Sequence, residues 1–312
     1  MHILITGGCG YTGTILTNDL IRLGHKVTVI DTQWFGNYLK PNKNLKVIKL
    51  DIRNHDEINL KSVNTVVHLA NIANDPSVEL NPKLSWEVNV LATQKLIENS
   101  INNKVKQFIF ASSGSVYGLK KEKKVTEDLP LVPISTYNKT KMIAERVLKS
   151  YEKEIKVHCI RPATVCGYSP RMRLDVSVNM LTFQALKNKK MNVFGGNQTR
   201  PNIHIQDLIN VYKHFILKPD LPSGFYNAGF ENLKIIDIAK KIAKIIPSQI
   251  ITTKGNDPRS YRQNSDKLIS TGFKKSYSIT DAIKEIKKIY LRKELEESEK
   301  CYTVKWMKTL KL

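Results

Sequence analysis

Tyr137 and Lys141 are the residues best suited to acid–base chemistry in this sequence. Because they are four apart in a predicted helix, their side chains point from one helix face. A neighbouring ammonium would lower the pKa of a tyrosine hydroxyl from its reference value of about 10. The phenolate could then take the proton from a hydroxyl group while a hydride leaves the same carbon. Upstream, Ser112-Ser-Gly-Ser-Val-Tyr-Gly118 follows a predicted strand and supplies serines to hold that oxygen.

A glycine-rich turn near the start of the chain predicts a dinucleotide site. Gly7, Gly10 and Gly13 follow the apolar run His2 to Thr6, a predicted buried strand. They open a segment with helical apolar spacing, Thr14 to Leu23. Glycine is needed because a side chain would hold a pyrophosphate away from backbone N–H groups, and a helix N-terminus favours the anion. An oxidised nicotinamide would accept the hydride and would add positive charge beside the tyrosine.

The second predicted strand, Lys26 to Ile30, is followed by an acid that indicates which dinucleotide binds. A carboxylate at Asp31 can accept both hydroxyls of an adenosine ribose, and it repels a 2′-phosphate. The sequence therefore predicts NAD rather than NADP as the cofactor. The alternative is that Asp31 is an ordinary turn residue.

Strands and helices alternate along the first half of the chain. Further strands are predicted at Leu45 to Leu50, Val63 to Ala70, Val105 to Ala111 and Val157 to Ile160, with helices at Lys83 to Ile101 and Tyr137 to Tyr151. This order predicts an α/β fold with a doubly wound parallel sheet, a Rossmann domain over residues 1–165. The less regular second half predicts a smaller C-terminal substrate-binding lobe over residues 166–312, with some segments returning to the first domain. Its helices are expected at roughly 176–187, 206–217, 234–246, 265–270 and 279–300.

Composition narrows the class of protein. Hydrophobic residues make up 41% of 312 residues, enough for a sizeable core, and no apolar run of about 18 residues predicts a membrane span. The first strand begins at His2, which leaves no signal peptide, and four cysteines without metal-site spacing indicate free thiols and a cytoplasmic protein. The net charge of +22 invites a nucleic-acid partner, but the lysines are scattered, as on solvated faces. The arginines concentrate near the motifs and indicate an anionic small molecule.

The motifs together resemble the extended short-chain dehydrogenase/reductase family, in its nucleotide-sugar epimerase/dehydratase branch. The resemblance rests on Thr6-Gly-Gly-Cys-Gly-Tyr-Thr-Gly13, Asp31, Asp51-Ile-Arg53, His68-Leu-Ala70, Asn89, Ser112-Ser-Gly-Ser-Val-Tyr-Gly118, Tyr137-x-x-x-Lys141, Arg161-Pro162 and Arg200-x-x-Ile-His204. It implies that Tyr137 is the acid/base, that Lys141 holds the cofactor ribose and tunes Tyr137, and that Ser113, rather than Ser112, bonds the reacting hydroxyl.

The resemblance also implies contacts for both ligands and a homodimer built on the two long helices. The cofactor residues would be Gly7, Gly10, Tyr11, Thr12, Gly13, Asp31, Asp51, Ile52, Leu69, Ala70, Asn89, Tyr137 and Lys141. A nucleotide-diphosphate sugar would meet Asn74, Ser113, Arg171, Arg173, Asn179, Arg200 and Arg259. Purely structural alternatives stay open: a helix cap for Asp51, a turn cap for Asn179, and solvated charges for Arg171 and Arg173. No metal site is expected.

The sequence leaves three functions open. Dehydratases of the branch carry Asp and Glu where this chain has Gly114 and Ser115, so elimination of water is not expected. The leading hypothesis is a nucleotide-sugar epimerase that transiently oxidises C4 with NAD, in surface-polysaccharide precursor synthesis. The alternatives are a 4-dehydrogenase that releases the keto sugar, for example from a GDP-heptose, and a non-catalytic NAD-binding or sensor protein. The tail with Trp306 and Met307 would dock either on the body or on a neighbour.

Overall fold

The computed structural model describes residues 1–255 and 260–311. The strands are β1 (His2–Thr6), β2 (Lys26–Asp31), β3 (Leu45–Lys49), β4 (Thr65–His68), β5 (Gln107–Ala111), β6 (Lys156–Pro162), β7 (Thr164–Cys166), β8 (Lys190–Phe194), β9 (Thr199–His204), β10 (Gly224–Ala228), β11 (Glu231–Lys234) and β12 (Gln249–Thr253). The helices are α1 (Tyr11–Arg22), α2 (Asp75–Val78), α3 (Pro82–Trp86), α4 (Ala92–Asn102), α5 (Thr136–Ser150), α6 (Ser177–Asn188), α7 (Ile205–Leu217), α8 (Ile235–Ile245), α9 (Asp266–Ser270), α10 (Ile279–Leu291) and α11 (Thr303–Thr309).

A parallel sheet of seven strands, in the order β10-β6-β5-β4-β1-β2-β3, organises the first half of the chain. The strand order reverses beside β1, which is the feature that opens a crevice at the carboxyl edge of such sheets. Ile3 and Ile5 pack on one face with side chains of α1 and α7, while Leu4 packs on the other face with α4 and α5. Burial on both faces explains the continuous apolar character of the strands. The predicted doubly wound α/β fold is confirmed.

The second half divides between the main sheet and a smaller lobe. Strand β10 joins the sheet edge beside β6, with Asn227 opposite Arg161, and α7 packs against α1. Two small sheets, β11-β9-β7 and β12-β8, pack with α6, α8 and α10 around a separate apolar core. Later segments thus contribute to the main sheet, and the division into domains at residue 165 stays a prediction.

Two helices differ from their predicted extents. The helix expected over Lys83 to Ile101 is interrupted by a π-helical turn, Glu87–Leu91, between α3 and α4. The helix expected over 279–300 ends at Leu291. The tail then forms α11, whose Trp306 donates its indole N–H to the carbonyl of Trp34, so it docks on the body of the chain.

The described residues contain no helix that is both long enough and apolar enough to cross a membrane. All four cysteines are free thiols, as the sequence predicted, and all four are buried.

Two histidines are buried in the main sheet, and we therefore expect the protein to lose stability in mild acid. His68 lies 2.6 Å from the hydroxyl of Thr6 and 2.8 Å from that of Thr93, and burial lowers its pKa to about 3. Burial also lowers the pKa of His158 to about 4. The unfolded chain takes up these protons near pH 6.5, so below that pH it binds more protons than the folded chain. Stability therefore falls with falling pH, by up to ~1.4 kcal/mol per pH unit for each histidine.

Urea unfolding at pH 7 and pH 5 measures this effect. Replacing His68→Gln keeps side-chain hydrogen bonding but removes one titrating group, so we expect the stability difference between the two pH values to shrink by roughly 2 kcal/mol. His55→Gln, at a partly exposed site, is the matched control and should leave the difference unchanged. Equal pH dependence in all three proteins would contradict the argument.

Candidate active site

A cavity of about 770 Å³ opens at the carboxyl edge of the main sheet, beside the reversal of strand order. Each central strand ends in its wall, because the carboxyl ends of parallel strands meet at one edge. The lining residues at these strand ends include Gly7, Asp31, Asp51, Ala70 and Ser113. The sequence placed all five in the site, and the structure brings them together.

The glycine loop has no room for side chains. A Cβ on Gly7 would lie 2.6 Å from the backbone nitrogen of Ala70, and one on Gly13 would lie 2.2 Å from the carbonyl oxygen of Gly7. Helix α1 begins directly after Gly10, which makes no side-chain cap, and Gly10, Tyr11 and Thr12 line the cavity. Uncapped N–H groups at a helix start, approached closely by backbone, fit the pyrophosphate of a dinucleotide.

Two acids lie on the same wall, beyond the glycine loop. Asp31 accepts N–H groups from Cys9 at 2.9 Å and from Gln33 at 2.7 Å. Burial raises the pKa of Asp31, and these hydrogen bonds oppose the rise. Burial alone would raise the pKa of Asp51 as well, but hydrogen bonds from Arg53 outweigh it and lower the pKa. Ile52 and Leu69 complete this part of the lining, where the sequence predicted cofactor contacts.

Ser113 and Tyr137 lie together on the opposite part of the lining. Burial raises the pKa of Tyr137 to about 12, while hydrogen bonding with the Ser113 side chain and the charge of Arg173 oppose that rise. Ser112 instead donates its hydroxyl to the buried carboxylate of Glu145 at 2.5 Å. This arrangement supports Ser113 over Ser112 as the serine that holds the reacting oxygen.

Lys141 differs from its expected arrangement. Its ammonium donates to the carbonyl of Ala111 at 2.7 Å, lies 4.7 Å from the centre of the Phe110 ring, and is not among the described lining residues. Burial lowers the pKa of Lys141 to about 7. Burial disfavours the phenolate, so the pKa of Tyr137 is raised in the protein alone, and its lowering by Lys141 together with an oxidised nicotinamide stays a prediction. Contact between Lys141 and the cofactor stays a prediction.

Asn89 lies behind the cavity wall, where it holds a loop. Its side-chain oxygen accepts the N–H of Ile72 at 2.8 Å, and its amide donates to the Ile72 carbonyl and to Thr140, each at 3.1 Å. The residue is buried in the π-helical turn and is absent from the described lining. The structure thus gives Asn89 a positioning role where a direct cofactor contact was expected.

Asn179 likewise holds a loop in place of the expected contact with a diphosphate. Its oxygen accepts the N–H of Gly167 at 3.0 Å, and its amide donates to Tyr11 and to the carbonyl of Arg173, each at 3.0 Å. The Tyr11 hydroxyl in turn donates to the Gly167 carbonyl at 2.7 Å. With both ends of its amide engaged, Asn179 fastens the loop over 167–175 to the start of α1.

Four of the remaining five predicted substrate residues line the cavity, and the fifth lies outside the described residues. Arg171, Arg173, Arg200 and Asn74 all line the cavity. Arg173 is paired with Asp175 at 2.8 Å, and that carboxylate raises the Arg173 pKa although burial opposes it. Asn74 has a φ of 72°, and its side chain accepts the N–H of Ser77 at 3.0 Å, which caps α2. Arg259 lies outside the described residues.

Some residues of the cavity lining were not among the predicted site residues. Thr303, Val304 and Met307 of the tail reach the cavity, and so does Phe35 from the loop after β2. The tail carries no motif, so only the folded structure brings it to this wall. The aromatic character of the loop over 33–43 was the one available signal for Phe35.

The fold and the cavity define a class of protein: a Rossmann enzyme with a dinucleotide-binding glycine loop and a serine–tyrosine pair in the same cavity. Residues 3–229 match the family model described as the NAD dependent epimerase/dehydratase family. The chain belongs to this family of NAD-dependent enzymes.

Three proteins similar to this chain are named as 4-epimerases of UDP-sugars. The chain is 27% identical to UDP-glucose 4-epimerase of Lactobacillus helveticus, over 91% of this chain and 94% of that protein. It superimposes with a TM-score of 0.80 on UDP-glucuronic acid 4-epimerase from Bacillus cereus in complex with UDP-glucuronic acid and NAD, at 27% identity, over 93% of this chain and 100% of that one. The TM-score is 0.84 for UDP-glucose 4-epimerase from Thermotoga maritima with UDP-glucose, at 25% identity, over 95% and 100%.

Proposed function

We propose that this chain is an epimerase that inverts C4 of a nucleotide-diphosphate sugar and recycles its NAD within each turnover. NAD, when bound, supplies a ring that accepts and returns a hydride. The observation that carries the proposal is the placement of Ser113 and Tyr137 on the wall of the cavity that also contains the glycine loop and Asp31. The proposed setting is surface-polysaccharide precursor synthesis.

Tyr137 moves the proton in this proposal, and Ser113 holds the reacting oxygen. With a pKa of about 12, the Tyr137 hydroxyl is protonated in the protein alone, so ligand binding must lower that pKa before the tyrosine can act as a base. Arg173 already lowers it from the cavity side. A positively charged ligand ring beside the hydroxyl would act in the same direction.

Arg173 and Arg200 are the proposed ligands of the sugar nucleotide's diphosphate. Both line the cavity, and guanidinium groups suit phosphate oxygens because each presents paired N–H donors. The UDP-sugar complexes of the relatives support this class of substrate. Which base and sugar this chain takes is the question that the experiment must answer.

The positions that would eliminate water carry no carboxylate. Ser115 lies 2.8 Å from the Ser113 hydroxyl, and a side chain added at Gly114 would meet Gln263 within 3.1 Å. Neither position carries an acid, and a side chain at Gly114 would require its neighbours to shift. Inversion at C4 therefore fits the site better than dehydration.

A panel of UDP-, GDP-, CDP- and dTDP-sugars tests the proposal. Purified enzyme is mixed with each, absorbance follows NADH, and anomeric NMR signals follow the sugar. We expect one sugar nucleotide to yield its C4 epimer with no net NADH. NADH formed in step with a released keto sugar would instead identify a 4-dehydrogenase, and no turnover in NAD-loaded protein would favour a binding or sensor protein.

The proposed assembly is a homodimer through the helices α3, α4 and α5. Trp86 and Leu91 on this surface are 37% and 57% exposed, although both are large and apolar. Covering such side chains favours association. Light scattering should give twice the chain mass, and Leu91→Lys should shift it toward the monomer. A monomeric mass for the unaltered protein would rule the dimer out.

A further inference from the structure

Arg171 is a buried cation that lacks acceptors. It is 4% exposed, and two of its guanidinium nitrogens, Nε and Nη1, have no hydrogen-bond partner in the described structure. Burial lowers the pKa of Arg171 to about 10, so the side chain remains charged at neutral pH. A buried charge without hydrogen-bond partners is costly, and a ligand anion would remove that cost.

The guanidinium faces the Asp31 side of the cavity. Its central carbon lies 4.0 Å from the centre of the Phe35 ring, and Phe35 belongs to the loop that follows β2 and Asp31. The Arg171 charge is among the influences that oppose the rise of the Asp31 pKa. Two residues earlier, Ser169 donates to the carbonyl of Tyr11 at 2.8 Å, which binds this loop to the start of α1. Arg171 thus lies on the Asp31 side of the cavity, in a loop that is bonded to the start of α1.

Arg173, two residues further along, has a different orientation. It is paired with Asp175, and its charge acts on the pKa of Tyr137 at the reacting end of the cavity. One short loop therefore presents one arginine to the side where the sugar reacts and another to the side where the glycine loop and Asp31 lie.

We propose that Arg171 binds the pyrophosphate of NAD, with the Phe35 ring as the surface that orients its guanidinium. This replaces the substrate contact expected from the sequence. The backbone N–H groups at the start of α1 would hold the phosphates from one side, and the paired N–H donors of Arg171 would hold them from the other. The aromatic face supports a guanidinium without competing for its in-plane donors. The proposal does not depend on the sugar or on chemistry at C4.

Calorimetry on protein freed of nucleotide tests this assignment with Arg171→Gln. The probes are NAD, ADP-ribose, adenosine and UDP. We expect NAD and ADP-ribose to bind about 10- to 100-fold more weakly, which is the loss of a charge-assisted hydrogen bond. Adenosine, which has no phosphate, and UDP should bind as they do to the unaltered protein. The matched control, Arg173→Gln, should show the reverse, with weaker binding of UDP and nearly unchanged binding of NAD.

Several outcomes would overturn the assignment. In Arg171→Gln, a loss of UDP affinity with unchanged NAD affinity would return Arg171 to the substrate site. A lower melting temperature with unchanged NAD affinity would indicate a structural role. If Arg171→Gln does not fold, Phe35→Leu can be tested instead, because it retains the arginine. We expect this variant to bind NAD more weakly, by a smaller factor than expected for Arg171→Gln. Unchanged NAD affinity in Phe35→Leu would equally refute the assignment. Turnover enters none of these measurements, so failure of the epimerase proposal is distinguishable.

Discussion

Replacing Tyr137→Phe is expected to lower nucleotide-sugar turnover roughly 100- to 10,000-fold, the range for loss of a positioned acid/base. The change removes a single oxygen atom. The ring, which packs against an apolar core beneath the main sheet, is retained, so the fold should not change. Ser113 would still hold the sugar oxygen, but no side chain would accept its proton.

Tyr151→Phe is the matched control for this variant. Tyr151 follows the last residue of α5, and its hydroxyl donates to Glu98 at 2.9 Å, away from the described cavity lining. It should keep nearly full kcat and bind NAD with unchanged Kd. A Tyr137→Phe enzyme with more than about a tenth of normal kcat would exclude the proposed base.

The β1–α1 unit was the part of the chain most fully predictable from sequence. Its glycine spacing, its apolar run and the acid at the end of β2 are local features that one stretch of sequence displays. Gly13 illustrates this, because a Cβ there would lie 2.2 Å from the Gly7 carbonyl. The alternation of strands and helices likewise predicted the doubly wound parallel sheet.

Contacts between side chains that are far apart in sequence could not be predicted from local spacing. Spacing placed Lys141 on the face of Tyr137, but burial and the Ala111 carbonyl decide where its ammonium lies. The amides of Asn89 and Asn179 were candidate ligand contacts, yet loop backbone groups engage both. A polar residue in a motif can act by shaping the site rather than by touching a ligand.

Helix ends were missed where the usual residues are absent. After Leu291, Lys293 adopts a left-handed conformation with a φ of 58°, and the N–H of Glu294 bonds the carbonyl of Ile289. Glycine usually occupies such a position, so the apolar pattern alone suggested a longer helix. Docking of the tail on Trp34 depends on a contact between residues 272 apart in sequence, which no local pattern encodes.

Replacing Arg161→Met is expected to destabilise the fold by about 3–5 kcal/mol, the cost of leaving one partner of a buried ion pair alone. Arg161 donates to both carboxylate oxygens of Glu145, at 2.8 and 2.9 Å, and the two side chains are 2% and 0% exposed. Its guanidinium also donates to the Tyr117 hydroxyl at 2.7 Å. Because Glu145 lies on α5 and also accepts from Ser112, the pair joins β6 to the segments that carry Tyr137 and Ser113.

Urea unfolding measures the loss, with an exposed ion pair as the reference. Lys95 and Glu98 lie 3.0 Å apart but are 51% and 30% exposed, so Lys95→Met should cost no more than about 0.5 kcal/mol. If both methionine variants lost the same free energy of unfolding, burial would not make the Arg161–Glu145 pair more stabilising than an exposed pair. The double variant Arg161→Met with Glu145→Leu separates the two terms: if the stranded carboxylate causes most of the loss, removing it should restore stability relative to Arg161→Met alone. Continued loss in the double variant would instead attribute the effect to packing around the guanidinium.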